Sequence, residues 1–261
     1  MTDTVSLETS RRDLSLNCLK FIAAAAMLID HIAFAFVPHG TAPAIVMHFI
    51  GRITGPTMFF AAVEGYHHTR SLRRYLLRLA VFAGVSWIPF LFFMRGGFPE
   101  DISYMMSPNV IFTIFCGVLA VSIRRSERLK NPVLKLLLIL SLVILCVPAD
   151  WGTTGFLMIL AFDFFYGNFK QQAFAYCLLV LCEMDVLSLI TRPFFSLFYD
   201  GAFYIDIEFY KYFLENAGAL IPIALLTFYK GRRGAKNSFS KWFFYCFYPL
   251  HLLLLGFLQT L

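Results

Sequence analysis

Apolar residues along this chain fall in blocks of about 16 to 22, separated by short polar breaks. That block length matches the roughly 20 residues an α-helix needs to cross a hydrocarbon core. Closed barrels also span membranes, but their strands would read as shorter alternating segments. Of 261 residues, 59% are hydrophobic and 15% charged, against about 25% charged in soluble domains. The mean hydropathy is +0.70. A water-soluble fold of this size has no place for so much apolar surface. The pattern predicts an all-α, polytopic transmembrane helix bundle.

The blocks predict about nine spans, at 16–37, 43–66, 74–94, 108–124, 132–148, 153–168, 171–191, 212–229 and 239–259. Between them lie turn-forming runs such as Pro38-His39-Gly40, Gly96-Gly97, Asn131-Pro132 and Pro148 to Gly152. Residues 192–211 mix Phe194, Phe195, Phe198 and Tyr204 with Asp200, Asp206 and Glu208. They read as an interfacial or re-entrant helix, with a tenth span as the alternative. Every lysine and arginine except Arg52, Arg95, Arg192 and Lys211 falls on one side of this topology. The positive-inside rule then puts the N-terminus in the cytosol. Arg11 and Arg12 precede the first block as they would in a signal peptide, but Asp30-His31 interrupts it, so it reads as a retained span. The expected organisation is a cytosolic tail over 1–15 and a single transmembrane domain over 16–261.

A net charge of +6 does not point to nucleic acid, because the basic residues sit at block ends rather than along one aromatic-rich face. The partner it implies is the lipid bilayer. Cys18, Cys116, Cys146, Cys177, Cys182 and Cys246 form no CxxC pair and no metal-ligand spacing, so no metal is expected.

An ionisable residue at mid-span costs about 2.5–3.5 kcal/mol on insertion scales and marks a functional site by default. The first span carries Asp30 and His31, the second His48, Arg52 and Glu64, the seventh Glu183 and Asp185, and the ninth His251. At 1.5 Å per residue, His31, Arg52, His251, Glu183 and Asp185 all fall about 10–13 Å below the outer ends of their spans. Gly51 and Gly55 flank Arg52 in a spacing that admits a neighbouring helix. Pro56 leaves the Arg52 carbonyl without its usual donor, and Pro249 does the same to Tyr245. Such breaks are tolerated where they line a polar cavity. Structural alternatives stand beside these. Arg52 would be a charge paired with Asp30 or Asp185, His251 a hydrogen-bonded core histidine, and Arg70, Arg73, Arg74 and Arg78 determinants of topology alone.

Five segments, in order and over nearly the whole chain, resemble the TraX family. They are LKFIAAAAMLIDHIAF, the stretch from FIGRITGPTMFF through EGYHHTRSLRRYLLRLAVFAGVSWIPF, NVIFTIFCG, ADWGTTGFLMIL and KWFFYCFYPLHLLLL. That family is named for the membrane protein that acetylates the N-terminus of conjugative F-pilin, and is related to membrane acyltransferases of the acyltransferase-3 type. The resemblance implies a bacterial inner-membrane acetyltransferase that uses acetyl-CoA, with a pilin-like or glycan acceptor. Under it, His31 is the general base and Asp30 its support or a partner of Arg52. Arg52 and Asn109 would stabilise the oxyanion, and His251 is the rival base or the acid for the leaving thiolate. Glu183, Asp185 and Tyr248 (in the FYPLHL element) would bind substrate. Arg70, Arg73, Arg74 and Arg78 would hold the donor phosphates by charge-assisted contacts. Two other functions compete: a proton-coupled transporter using the same Asp, His and Arg residues, though the inverted repeats expected of one are not seen, and a non-catalytic assembly factor.

Overall fold

The computed structural model describes residues 14–97, 106–200, 206–232, 234 and 238–261. Among them the chain is all helical: α1 Leu16–Phe36, α2 Ala42–Gly51, α3 Thr54–His68, α4 Leu72–Val85, α5 Trp87–Arg95, α6 Val110–Arg125, α7 Pro132–Cys146, α8 Gly152–Phe164, α9 Phe169–Glu183, α10 Val186–Asp200, α11 Ile207–Ala217, α12 Ile221–Thr227 and α13 Ser238–Gln259. Among the described residues, five runs are long and apolar enough to cross a membrane: Leu16–Phe36, Ala42–His68, Leu72–Arg95, Phe169–Phe195 and Trp242–Gln259. The chain is a multi-pass membrane protein. Most of the expected tail over 1–15 lies outside the described residues.

Several expected spans are broken helices, and the breaks have local causes. Within 43–66 the helix yields at Arg52-Ile53, where Pro56 offers no N–H to the Arg52 carbonyl. Thr57 Oγ1 donates to the neighbouring Ile53 carbonyl at 2.7 Å. Thr54 Oγ1 ties the same turn to the Ala23 carbonyl of α1 at 3.0 Å. Gly51 and Gly55 act as their spacing predicts: a Cβ at Gly51 would collide with the Asp30 side chain, and one at Gly55 would lie 2.5 Å from the Trp151 ring.

Residues 192–211 divide between two helices: 192–200 complete α10, 207–211 open α11, and 201–205 lie outside the described residues. The helix capped by Asp206, whose carboxylate accepts from Phe209 N–H at 3.1 Å, continues into the eighth expected span.

Buried aromatic and aliphatic residues of α1, α3, α5, α6, α8 and α13 form one continuous core, with Phe59, Val63, Phe93, Val118, Ile159 and Leu252 almost fully enclosed. One end of the bundle gathers the basic turns. There Leu14 N–H donates to the Phe228 carbonyl (2.9 Å) and Leu16 N–H to the Arg232 carbonyl (2.8 Å). Asp163, wholly buried at the end of α8, accepts from Arg125 Nε at 2.8 Å, from Arg124, and from His67 Nε2 at 2.7 Å. Glu64, also buried, accepts from Tyr229 Oη at 2.7 Å. The EGYHHT element thus helps build this end of the bundle. Replacing Asp163 by alanine leaves three donors without their acceptor. The expected loss is about 3 kcal/mol, the low end for breaking a buried ion pair because both arginines are partly exposed. Thermal unfolding in detergent measures it, and an unchanged midpoint would show that the cluster contributes nothing to stability.

Candidate active site

A cavity of about 380 Å³ opens between α1, α2, α3, α5, α6, α13 and the turn before α8. On α1 its lining runs from Ala24 to Phe34, about 15 Å of depth at helical rise. Its polar wall brings together Asp30, His31, Arg52, Tyr248 and also His48 and Asp150. Four of these six were expected as site residues.

His31 and His251 meet across 220 residues of sequence, His31 Nδ1 standing 2.7 Å from His251 Nε2 with the ring planes 7° apart. The proton positions follow from the partners. His251 Nδ1 faces the Phe247 carbonyl at 2.7 Å, which only accepts, so this nitrogen carries the hydrogen. Neutral His251 therefore has its lone pair on Nε2 and accepts from His31 Nδ1–H. That leaves the lone pair of His31 on Nε2, the position a general base needs. His251, with both nitrogens engaged and its ring buried, orients His31.

Arg52 is not the partner of Asp30. Asp30 Oδ1 accepts from His48 Nδ1 at 2.8 Å, and Asp185 lies elsewhere. Among the described residues Arg52 Nε is buried with no hydrogen-bond partner, while the guanidinium lies 5.7 Å from the Trp151 ring centroid. The Tyr248 hydroxyl, near the backbone of Val110, likewise finds no partner among the described residues. A buried donor left unmatched costs about 1–3 kcal/mol.

The turn Asp150-Trp151-Gly152 supplies the wall opposite Arg52. Trp151 sits at φ 59°, a strained conformation for a bulky residue and one that clusters at functional sites. The turn is held by Asp150 N–H donating to the Pro108 carbonyl (2.9 Å) and Thr113 Oγ1 donating to the Asp150 carbonyl (2.6 Å). Removal from water raises the Asp150 carboxyl to about 6, with Arg52 pulling the other way. The sequence signal for it was its place in ADWGTTG, between two apolar blocks.

Three expected site residues stand apart. Asn109 is fully buried, but its amide is committed: Oδ1 caps α6 by accepting from Ile111 N–H (3.0 Å) and Phe112 N–H (3.3 Å), and Nδ2 donates to the Ala83 carbonyl (2.8 Å). An asparagine before an apolar helix is a common N-cap, and Asn109 does not line the cavity. Glu183 and Asp185 do not line the cavity. The chain breaks between α9 and α10, with Asp185 at φ 49°, so both carboxylates are exposed at a helix end. There Glu183 accepts from Thr154, and Asp185 from Ser188 Oγ at 2.5 Å.

Of the four arginines expected to meet a donor, Arg70, Arg73 and Arg74 are exposed around the start of α4. Arg78 lies deeper, its Nε 3.4 Å from Tyr245 Oη of α13. His251 also forms the floor of a second, apolar groove of about 730 Å³, bounded by Leu28 of α1 and by Phe243, Leu250 and Leu254 of α13.

The sequence profile described as "TraX protein" matches residues 15–259. A protein of Dichelobacter nodosus described as "Probable fimbrial assembly protein FimC, serogroup H1" is 35% identical over 247 residues, covering 93% of this chain and 95% of that protein. No solved structure matches. The five resembling segments, the match along nearly the whole chain and the full-length relative agree, and the chain belongs to the TraX family.

Proposed function

We propose that this protein is an integral acetyltransferase of the bacterial inner membrane. It crosses the membrane nine times with a cytosolic N-terminus and moves an acetyl group from cytosolic acetyl-CoA to an amine or hydroxyl at the outer face. The observation that carries this reading is the pair of unmatched buried donors, Arg52 Nε and Tyr248 Oη, in the cavity that His31 lines with His251 bonded behind it. Donors fixed in a water-poor site without an acceptor suit a thioester oxygen that becomes negative during reaction.

In this mechanism the acceptor nitrogen or oxygen attacks the thioester carbon while His31 Nε2 takes its proton. Arg52 and Tyr248 hold the oxyanion of the tetrahedral adduct. Collapse breaks the C–S bond, and the thiolate recovers a proton from His31, whose imidazolium is oriented and partly neutralised through His251. The basic end of the bundle faces the cytosol, where Arg70, Arg73 and Arg74 attract the donor phosphates and Arg78 marks the route between α4 and α13. The relative's connection to fimbriae makes a membrane-held pilin subunit the favoured acceptor. The groove between α1 and α13, ending on His251, offers such a subunit a path from the bilayer.

The test is purified protein in nanodiscs with acetyl-labelled acetyl-CoA and a pilin-type peptide. The expected result is label on the peptide and one CoA thiol released per acetyl. An intact thioester and an unlabelled peptide would favour the assembly-factor reading that the relative's name suggests, and that reading also predicts full function without His31.

A further inference from the structure

The mechanism above leaves a histidine–carboxylate pair in the same cavity unused. His48 Nδ1 stands 2.8 Å from Asp30 Oδ1, and since an ionised carboxylate only accepts, that nitrogen keeps its hydrogen. Proton exchange at His48 therefore takes place on Nε2. The His48 ring lies parallel to that of His39, with centroids 6.2 Å apart and planes within 5°. His39 is exposed, in the turn between α1 and α2 at the outer mouth of the cavity. The other charges around His48 come from Arg52 just past α2, Glu215 on α11 and, beyond Asp30, His31 on α1. A file of two imidazoles thus leads from the reaction cavity to its mouth, separate from the His31–His251 pair.

Proton balance gives this file a purpose. An α-amino group has a pKa of about 7.7–8.0, so at pH 7 it is mostly ammonium. To become an amide it loses two protons, one before nitrogen can attack and one from the adduct as the C–N bond forms and the C–S bond breaks. The CoA thiolate takes up only one of them, and the other must leave the site. A hydroxyl acceptor loses a single proton, which the thiolate absorbs, and leaves no surplus. Resting on the acyl-transfer reading, we propose that His48, held by Asp30, removes the first proton from an ammonium acceptor at the mouth and passes it through His39 to water, while His31 handles the second.

The experiment uses the full chain in nanodiscs with acetyl-CoA and two peptides, one with an ordinary α-amino end and one with an aminooxy end that is already neutral at pH 7. About a tenth of an α-amine of pKa ~8 is free at pH 7. His48→Gln should therefore lower transfer to the α-amine about tenfold at pH 7, recover by pH 9, and leave aminooxy transfer unchanged. The exposed His39→Gln, which does not threaten folding, should shift the same profile in the same direction. Equal losses on both peptides, a deficit that persists at pH 9, or no deficit at pH 7 in either variant would overturn the assignment. Wild-type protein that labels neither peptide overturns acyl transfer itself, and this role with it.

Discussion

Alanine in place of His31 is expected to lower acetyl transfer by roughly 10²–10⁴, the usual contribution of a positioned general base. The protein should stay folded and keep its affinity for acetyl-CoA, because the ring's one strong bond is to His251. His251→Ala should fall in the same direction but less far. It removes the group that holds His31 in the tautomer with Nε2 unprotonated, not the base itself. The comparison is made by single-turnover transfer in nanodiscs. If both variants retain full transfer, the pair has no part in the chemistry. If His251→Ala is the more damaged, the roles given to the two rings are reversed.

Arg52→Met is the second large effect, and it separates catalysis from structure in one variant. Removing one oxyanion donor costs about 10²–10³ in turnover. A paired structural arginine would also cost stability when removed, about 3–5 kcal/mol for a broken buried ion pair. Arg52 has no such partner among the described residues, its nearest aromatic contact being Trp151 at 5.7 Å. Replacing an unmatched buried donor by an apolar side chain should leave the unfolding midpoint unchanged or raise it, as relief of active-site strain commonly does. Turnover that collapses while the midpoint holds supports the oxyanion role. Parallel loss of both would return Arg52 to a structural charge.

Much of this site was legible in the chain because membranes penalise polar groups steeply. His31, Arg52 and His251 stood out as ionisable residues deep within apolar blocks, and one layer of depth contained them all. Gly51 and Gly55 announced a close approach, which Asp30 and Trp151 supply. The same depth argument also picked out Glu183 and Asp185, which do not line this cavity. They lie where α9 ends at Glu183, and both are exposed there. Asn109 stands outside the cavity lining, with its oxygen on the α6 cap and its nitrogen bonded to the Ala83 carbonyl.

The chain by itself determined that this is a helical membrane protein, and which residues are too costly to bury without a purpose. Hydropathy and charge act locally, along one segment at a time, so they can be read in order. Which costly residues meet was decided only by tertiary structure. His31 finds His251 rather than a carboxylate, Asp30 takes His48 rather than Arg52, and Asp150 enters the cavity from a strained turn between two helices. Such pairings depend on how each helix is rotated and where it is broken. Close packing of residues far apart in sequence sets both, through contacts such as Gly51 on Asp30 and Gly55 on Trp151.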